Sequence, residues 1–189
     1  DSTLRLGINQ IDLLVIHDLD HGYHGKTVQQ KLKELETGVE WLNKMKTSGL
    51  IKGFGAGINE MQMMPVFMEH FDPDFFLVAM PYTLLDQSPL EEVFPACKKR
   101  KIGIIIGSPY ASGILAAGSK YDSTYGYAPP NNEILKKVNS IESICKEYDV
   151  PLKAASLQFP LFHPLVASVI PGVSDREEVL ENIQMIRLP

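Results

Sequence analysis

Cysteine is scarce in this chain of 189 residues: Cys97 and Cys145 are its only two, far apart and outside any metal-ligand or redox spacing. A disulfide scaffold and a cysteine-built zinc site are thereby excluded, and reduced, buried thiols in a cytoplasmic protein are expected. Long apolar runs are missing as well. Nothing approaches the roughly 18 residues of a membrane span, and no stretch reads as a signal peptide. An excess of positive charge is also lacking. With 18 Lys+Arg against 23 Asp+Glu the net charge is −5, which offers no general attraction to nucleic acid or anionic membrane. The short basic run Lys98-Lys99-Arg100-Lys101 reads as a solvated helix terminus favoured by the helix dipole. No internal repeat of fixed period is visible.

What is present is an ordinary globular composition, 44% hydrophobic and 22% charged, consistent with one domain over residues 1–189. Ile11-Asp12-Leu13-Leu14-Val15-Ile16 predicts a strand buried on both faces, ending abruptly in His17 and Asp18. Further strands are expected at Ile51–Ile58, Phe75–Met80, Ile102–Ile106 and Val166–Ile170. Leu32, Leu35, Val39, Leu42 and Met45, with Trp41 beside them, recur at helical spacing. So do Ile134, Leu135, Val138, Ile141, Cys145 and Tyr148. Ser88-Pro89 and Ser174-Asp175-Arg176-Glu177 read as helix starts, the latter with capping-box spacing. Asp1 to Gly7 reads as the last turns of a helix closed by a glycine cap, so the chain is expected to open mid-fold. Tyr110–Pro130 is too long for an idle connection and is expected to cover a ligand. Alternating strands and helices imply a parallel α/β sheet. Spacing leaves two architectures open, a five-stranded doubly wound sheet and a segment of a (β/α)8 barrel, which normally needs about 250 residues.

Polar groups at the carboxyl ends of buried parallel strands lie where α/β folds place their chemistry, so His17 is the first candidate for a catalytic group. His17, Asp18, Asp20, His21 and His24 crowd one turn, yet their spacings match no metal motif. A metal-dependent hydrolase using His17, Asp18, His21 and His24 is a third possibility that metal analysis would expose. Gly53-Phe54-Gly55-Ala56-Gly57 falls short of a dinucleotide fingerprint, because its third glycine comes one position early and no acidic residue ends the following strand. Those glycines fit close strand packing or backbone approach by a ligand. Gly107-Ser108-Pro109-Tyr110-Ala111-Ser112-Gly113 lacks the order of a nucleophile elbow but suits a backbone-lined phosphate contact. Ile170-Pro171-Gly172-Val173-Ser174 joins the last strand to a capped helix, whose free amide hydrogens favour an anion.

In this order the pieces resemble the second half of an aldo-keto reductase. The resemblance is carried by Arg5-Leu6-Gly7 with Ile11 to His17, by Gly57-Ile58-Asn59, and by Tyr82-Thr83-Leu84-Leu85-Asp86-Gln87. Ser108-Pro109 with Gly113-Ile114-Leu115, and Ile170-Pro171-Gly172 followed by Glu181-Asn182, complete it. The subgroup it is most similar to is the aldose 1-dehydrogenases acting on fucose, galactose or arabinose, with pyridoxal 4-dehydrogenase and plant L-galactose dehydrogenase as similar relatives. The resemblance implies strands four to eight of a (β/α)8 barrel with a nicotinamide cofactor at its mouth. It also implies that the family's catalytic aspartate, tyrosine and lysine belong to strands one to three, outside these residues. His17 would then hydrogen-bond and orient the substrate oxygen, with Asp18 and Tyr82 facing substrate. The implied cofactor contacts are Asn59, Gly107, Ser108, Tyr110, Gly113 and Leu115, then Gly172, Val173, Ser174, Arg176, Glu181 and Asn182.

Departures from the family pattern bear on the cofactor. Ile58 replaces a serine before Asn59, Ala79 a glutamine before Tyr82, and Gly107 a stacking tyrosine. NADP-dependent members carry a lysine and an arginine at positions that look like Val173 and Val179 here, so a 2′-phosphate would lose its charge-assisted hydrogen bonds. NAD is therefore expected, with NADP possible through Arg176. The expectation is an NAD(P)-dependent oxidoreductase that oxidises an aldose to a lactone in its complete form and is inactive as these residues alone. Its partners would be a small carbonyl or sugar substrate and a further copy or segment covering the open sheet edges. The rival reading is a non-catalytic nucleotide-binding or assembly module.

Overall fold

The computed structural model describes residues 2–119 and 122–189. Asp1 of the expected opening helix, and Lys120 and Tyr121 of the expected ligand-covering loop, lie outside the described residues. In chain order the elements are α1 (Ser2–Leu6), β1 (Leu13–Ile16), α2 (His21–His24), α3 (Val28–Thr47), β2 (Gly53–Ile58), α4 (Met63–His70) and β3 (Phe75–Val78). They continue with α5 (Pro89–Glu92), α6 (Phe94–Arg100), β4 (Gly103–Ile106), α7 (Ile114–Ala117), α8 (Asn132–Glu147), α9 (Leu152–Gln158), β5 (Val166–Val169) and α10 (Arg176–Met185). The chain divides into two compact units. One comprises the residues up to Leu77 with Ala96–Gly103, the other Val78–Pro95 with Ile104–Pro189.

In the first unit the strands neighbour one another in the order β1-β2-β3. β1 and β2 run parallel, with Leu13 opposite Gly53 and Ile16 opposite Ala56. Every residue of β2 is buried, and its glycines are there for packing. A Cβ on Gly55 would stand 2.3 Å from the Phe75 carbonyl oxygen, so only glycine lets the chain of β3 come this close. α4 is buried through Met63, Met64, Phe67 and Met68, and the Phe67 ring meets Phe76 edge-on at 6.4 Å. α3 follows the expected spacing through buried Leu32 and Val39, while Trp41 turns to solvent.

Burial of β1 on both faces is a correction. Leu13 is 46% and Val15 39% exposed, because β1 pairs with β2 alone and is an edge of its sheet. β3 also stops at Val78, short of the expected Met80, since the left-handed backbone of Met80 (φ 76°) cannot continue a strand.

In the second unit β4 and β5 are parallel, from Ile104 opposite Val166 to Ile106 opposite Val169, with a register shift after Ile104. The core gathers Leu85, Ala111, Ile114, Leu115 and Val138, against which Ile134, Leu135 and Ile141 of α8 pack. The Tyr110–Pro130 segment is more ordered than a plain loop. It holds a 3-10 turn at Ala111–Gly113, α7, and a short antiparallel bridge between Tyr125 and Ala128. α10 begins one residue later than the capping-box spacing placed it. Asp175 is the N-cap, accepting from the Glu178 amide at 2.8 Å, and Glu178 returns its carboxylate to Ser174. Among the described residues no helix is long and apolar enough to cross a membrane.

Candidate functional site

In the first unit the end of β1 brings together His17, Asp18 and Asn59. Asp18 sits in the left-handed region (φ 51°), a conformation costing about 1 kcal/mol for a residue with a side chain. Two contacts hold it there. Its Oδ2 lies 2.8 Å from His17 Nδ1, and its Oδ1 accepts from Asn59 Nδ2 at 3.1 Å. The His17 side chain is otherwise open, 73% exposed. With Nδ1 committed to a carboxylate, the neutral ring carries its proton there and presents Nε2 as an acceptor. Asn59 keeps its amide oxygen for a ligand.

The rest of the polar turn is structural. Asp20 is buried and caps α2, accepting from the Tyr23 amide at 3.1 Å. Glu60 accepts from the amides of His21 and Gly22 and stands 3.2 Å from His21 Nδ1. Among the described residues no group of three or more His, Cys, Asp or Glu is placed to hold a metal ion.

In the second unit a cavity of about 330 Å³ opens over the end of β4. Of the residues expected at a cofactor, Gly107, Ser108, Tyr110, Gly113, Gly172 and Asn182 line it. Ser112, from the stretch expected to contact phosphate, and Tyr127, from the segment expected to cover a ligand, line it too, as do Lys153 and Glu178, which sequence reasoning missed as contacts. Asn182, buried on α10, has its Oδ1 held by the Tyr110 hydroxyl at 2.6 Å, which leaves its NH2 to donate to a ligand. Burial, reinforced by the Glu181 charge, pushes the Tyr110 hydroxyl far above its ordinary pKa, so it stays a donor. Lys153 reaches over the Tyr110 ring at 5.6 Å and pairs with Glu181. Glu178 takes the Ser174 amide at 2.7 Å and the Ser174 hydroxyl at 3.1 Å.

Other expected contacts lie elsewhere. Leu115 is fully buried in the core, and its backbone is committed to Tyr110 and Ser156. Val173 lines a separate apolar cavity of about 300 Å³, together with Val179, Leu157 and Ile183. Arg176 is exposed at the start of α10 and is not among the lining residues, and Glu181 is engaged by Lys153. Tyr82, expected at the substrate, is buried among Phe94, Phe159 and His163 with ring centroids 4.9, 5.4 and 5.8 Å away. No local signal marks Lys153, whereas the Ser174-x-x-x-Glu178 spacing was readable as a helix-start contact.

Comparison with known proteins bears on both units. The profile described as "Aldo/keto reductase family" matches residues 1–189. Pyridoxal 4-dehydrogenase of Microbacterium luteolum is 38% identical over 185 residues, covering 97% of this chain and 54% of that protein. D-threo-aldose 1-dehydrogenase of a Pseudomonas species is 34% identical over 189 residues, covering 100% and 55%. The chain thus spans about half the length of these curated relatives. Among solved structures, an aldo-keto reductase of Bacillus halodurans in its holo form overlays with a TM-score of 0.69 at 22% identity, covering 100% of this chain and 59% of that one. An aldo/keto reductase of Klebsiella pneumoniae in complex with NADP and acetate overlays at 0.64 and 16% identity, covering 99% and 57%. Identities this low speak for the fold alone, and that fold makes the strands part of a (β/α)8 barrel rather than a doubly wound sheet. A profile match running the whole length of the sequence leaves no part of it outside, and the chain belongs to the aldo/keto reductase family.

Proposed function

We propose that these residues serve an NAD-dependent oxidoreductase that oxidises an aldose at C1 to a lactone. The second unit would hold the adenine nucleotide, and the first would present His17 to the substrate oxygen. The observation that carries this reading is Asn182, a buried amide whose oxygen is fixed by Tyr110 and whose NH2 is left for a ligand in a cavity with bare backbone. At Gly113 and Gly172 an added Cβ would meet nothing within 4 Å, so packing does not fill that space and a ligand has room to reach the main chain. Ser108, Ser112 and Lys153 add donors suited to a pyrophosphate. These features fit an adenine dinucleotide, whose nicotinamide supplies hydride transfer when bound.

The remaining steps belong to the chain. Asn59, its NH2 given to Asp18, offers its oxygen to a carboxamide. Asp18 draws the His17 proton to Nδ1, so that Nε2 accepts from the sugar hydroxyl and orients it for oxidation. Valine at 173 and 179, in place of cations, supports NAD over NADP, and NADP use would have to draw on Arg176. The names of the pyridoxal and aldose dehydrogenase relatives support a small carbonyl or sugar substrate. The resemblance assigns the proton-exchanging tyrosine to a segment outside these 189 residues, which alone would bind nucleotide without turnover. Solvent-facing Leu13 and Val15 on the β1 edge support self-association, which a well-folded monomer in sedimentation would contradict.

A second reading, a nucleotide-binding module without turnover, draws on the cavity lying wholly within one unit. Titration of NAD⁺ into the chain tests the part common to both: saturable binding is expected, lost in Asn182→Ala. Formation of reduced nucleotide from fucose, galactose or arabinose, in the longest protein product containing these residues, then separates enzyme from module. Failure of NAD⁺ and NADP⁺ alike to bind overturns both.

A further inference from the structure

Besides Asn182, the residue of α10 that lines the polar cavity is Glu178, one position before the valine expected in place of a cation. Its carboxylate is pinned. Oε2 accepts from both the amide and the hydroxyl of Ser174, while the Glu178 amide is itself taken by Asp175 Oδ1. The amino terminus of a helix welcomes an anion through its free amides and dipole. Here the chain's own carboxylates occupy that place, with Glu177 adding a further negative charge in the same turn. Lys153, the one lysine or arginine among the described lining residues, is already paired with Glu181. A phosphate monoester arriving beside Glu178 would therefore meet like charge from Glu178 and Glu177. A sugar hydroxyl would meet the opposite reception, because Glu178 Oε1 is left to accept from it.

We propose that Glu178 selects for an unphosphorylated ribose, accepting from its 2′-hydroxyl and repelling a 2′-phosphate. The inference rests on the nucleotide reading of the cavity and deepens it: preference for NAD would come from a placed carboxylate as well as from missing cations. A carboxylate serves the ribose of dinucleotides in other folds for the same reason, since it is an acceptor for a diol and a barrier to a second anion.

NAD⁺ and NADP⁺ differ only by that phosphate, so calorimetric titration of both into the chain isolates it. The wild type is expected to bind NAD⁺ at least about tenfold more tightly. Glu178→Gln keeps an oxygen for Ser174 and removes the charge; it should narrow the ratio to within about threefold, chiefly by tightening NADP⁺. A measurement on the wild type needs no variant to fold: the preference should shrink as salt rises from about 0.05 to 0.5 M, because screening weakens the repulsion. A ratio unmoved by both the substitution and salt, or a wild type preferring NADP⁺, overturns the role of Glu178 while leaving the cavity a nucleotide site. Binding of neither dinucleotide overturns the nucleotide reading, and this proposal with it.

Discussion

Tyr110→Phe deletes one oxygen and keeps the ring that packs in the second unit. The lost hydroxyl is the donor held 2.6 Å from Asn182 Oδ1, and both residues are buried, so water does not replace it freely. An amide oxygen left buried without a donor costs about 1–3 kcal/mol. For a chain of this size that corresponds to a fall in melting temperature of about 2–10 °C. The ligand effect is separate. Released from Tyr110, the Asn182 amide loses its fixed orientation, and ADP affinity should fall about tenfold, the worth of one hydrogen bond. Thermal unfolding and ADP titration of Tyr110→Phe, Asn182→Ala and the double variant measure both quantities. A coupling energy of at least about 1 kcal/mol is expected between the two sites. A melting temperature within about 1 °C of wild type, with ADP binding unchanged and no coupling, would refute the claim that Tyr110 aims Asn182.

Gly55→Ala should destabilise the first unit by about 3 kcal/mol or more, because its Cβ would stand 2.3 Å from a backbone oxygen that cannot move aside; the urea midpoint reads this directly. Gly172→Ala is the contrasting case, with open space at its Cβ: stability should stay within about 0.5 kcal/mol while ADP binding weakens by backbone screening. Cys97 gives a pH signature. Burial lifts its thiol from 9.0 to about 11, so between those values the unfolded chain ionises and the folded one does not. Unfolding then releases a proton, and stability falls as pH rises through that window by an amount on the order of 2 kcal/mol. Urea midpoints across the window should show a shallower decline in Cys97→Ala than in wild type, and equal slopes would contradict the shift.

Local patterns were legible wherever the deciding forces act between near neighbours. The helical spacing of Leu32 and Val39, the apolar runs of the strands and the Ser174 helix start depend on residues a few positions apart, and each element appears within a few residues of its expected bounds. Even so, α10 started one residue late, because Asp175 was the better cap once Glu178 could return to Ser174. Motif order also exposed the family, since five short matches in sequence constrain more than any one of them.

Burial and encounter were settled only by the tertiary structure. The β1 run reads as a doubly buried strand, yet its burial depends on which strands flank it, and β1 has one neighbour where the run anticipated two. Tyr82 looked available to a substrate until Phe94, Phe159 and His163 closed around it. Tyr110 and Asn182 meet across 72 positions, and Lys153 joins Tyr110 with no motif to announce it. The amino-acid order alone determined the kind of element, the family and the residue types available for chemistry, because those follow from short-range periodicity and from motifs. Which side chains share a cavity, and that Glu178 rather than Val179 faces it, only the folded chain decided, because contacts between distant positions are fixed by how the elements pack.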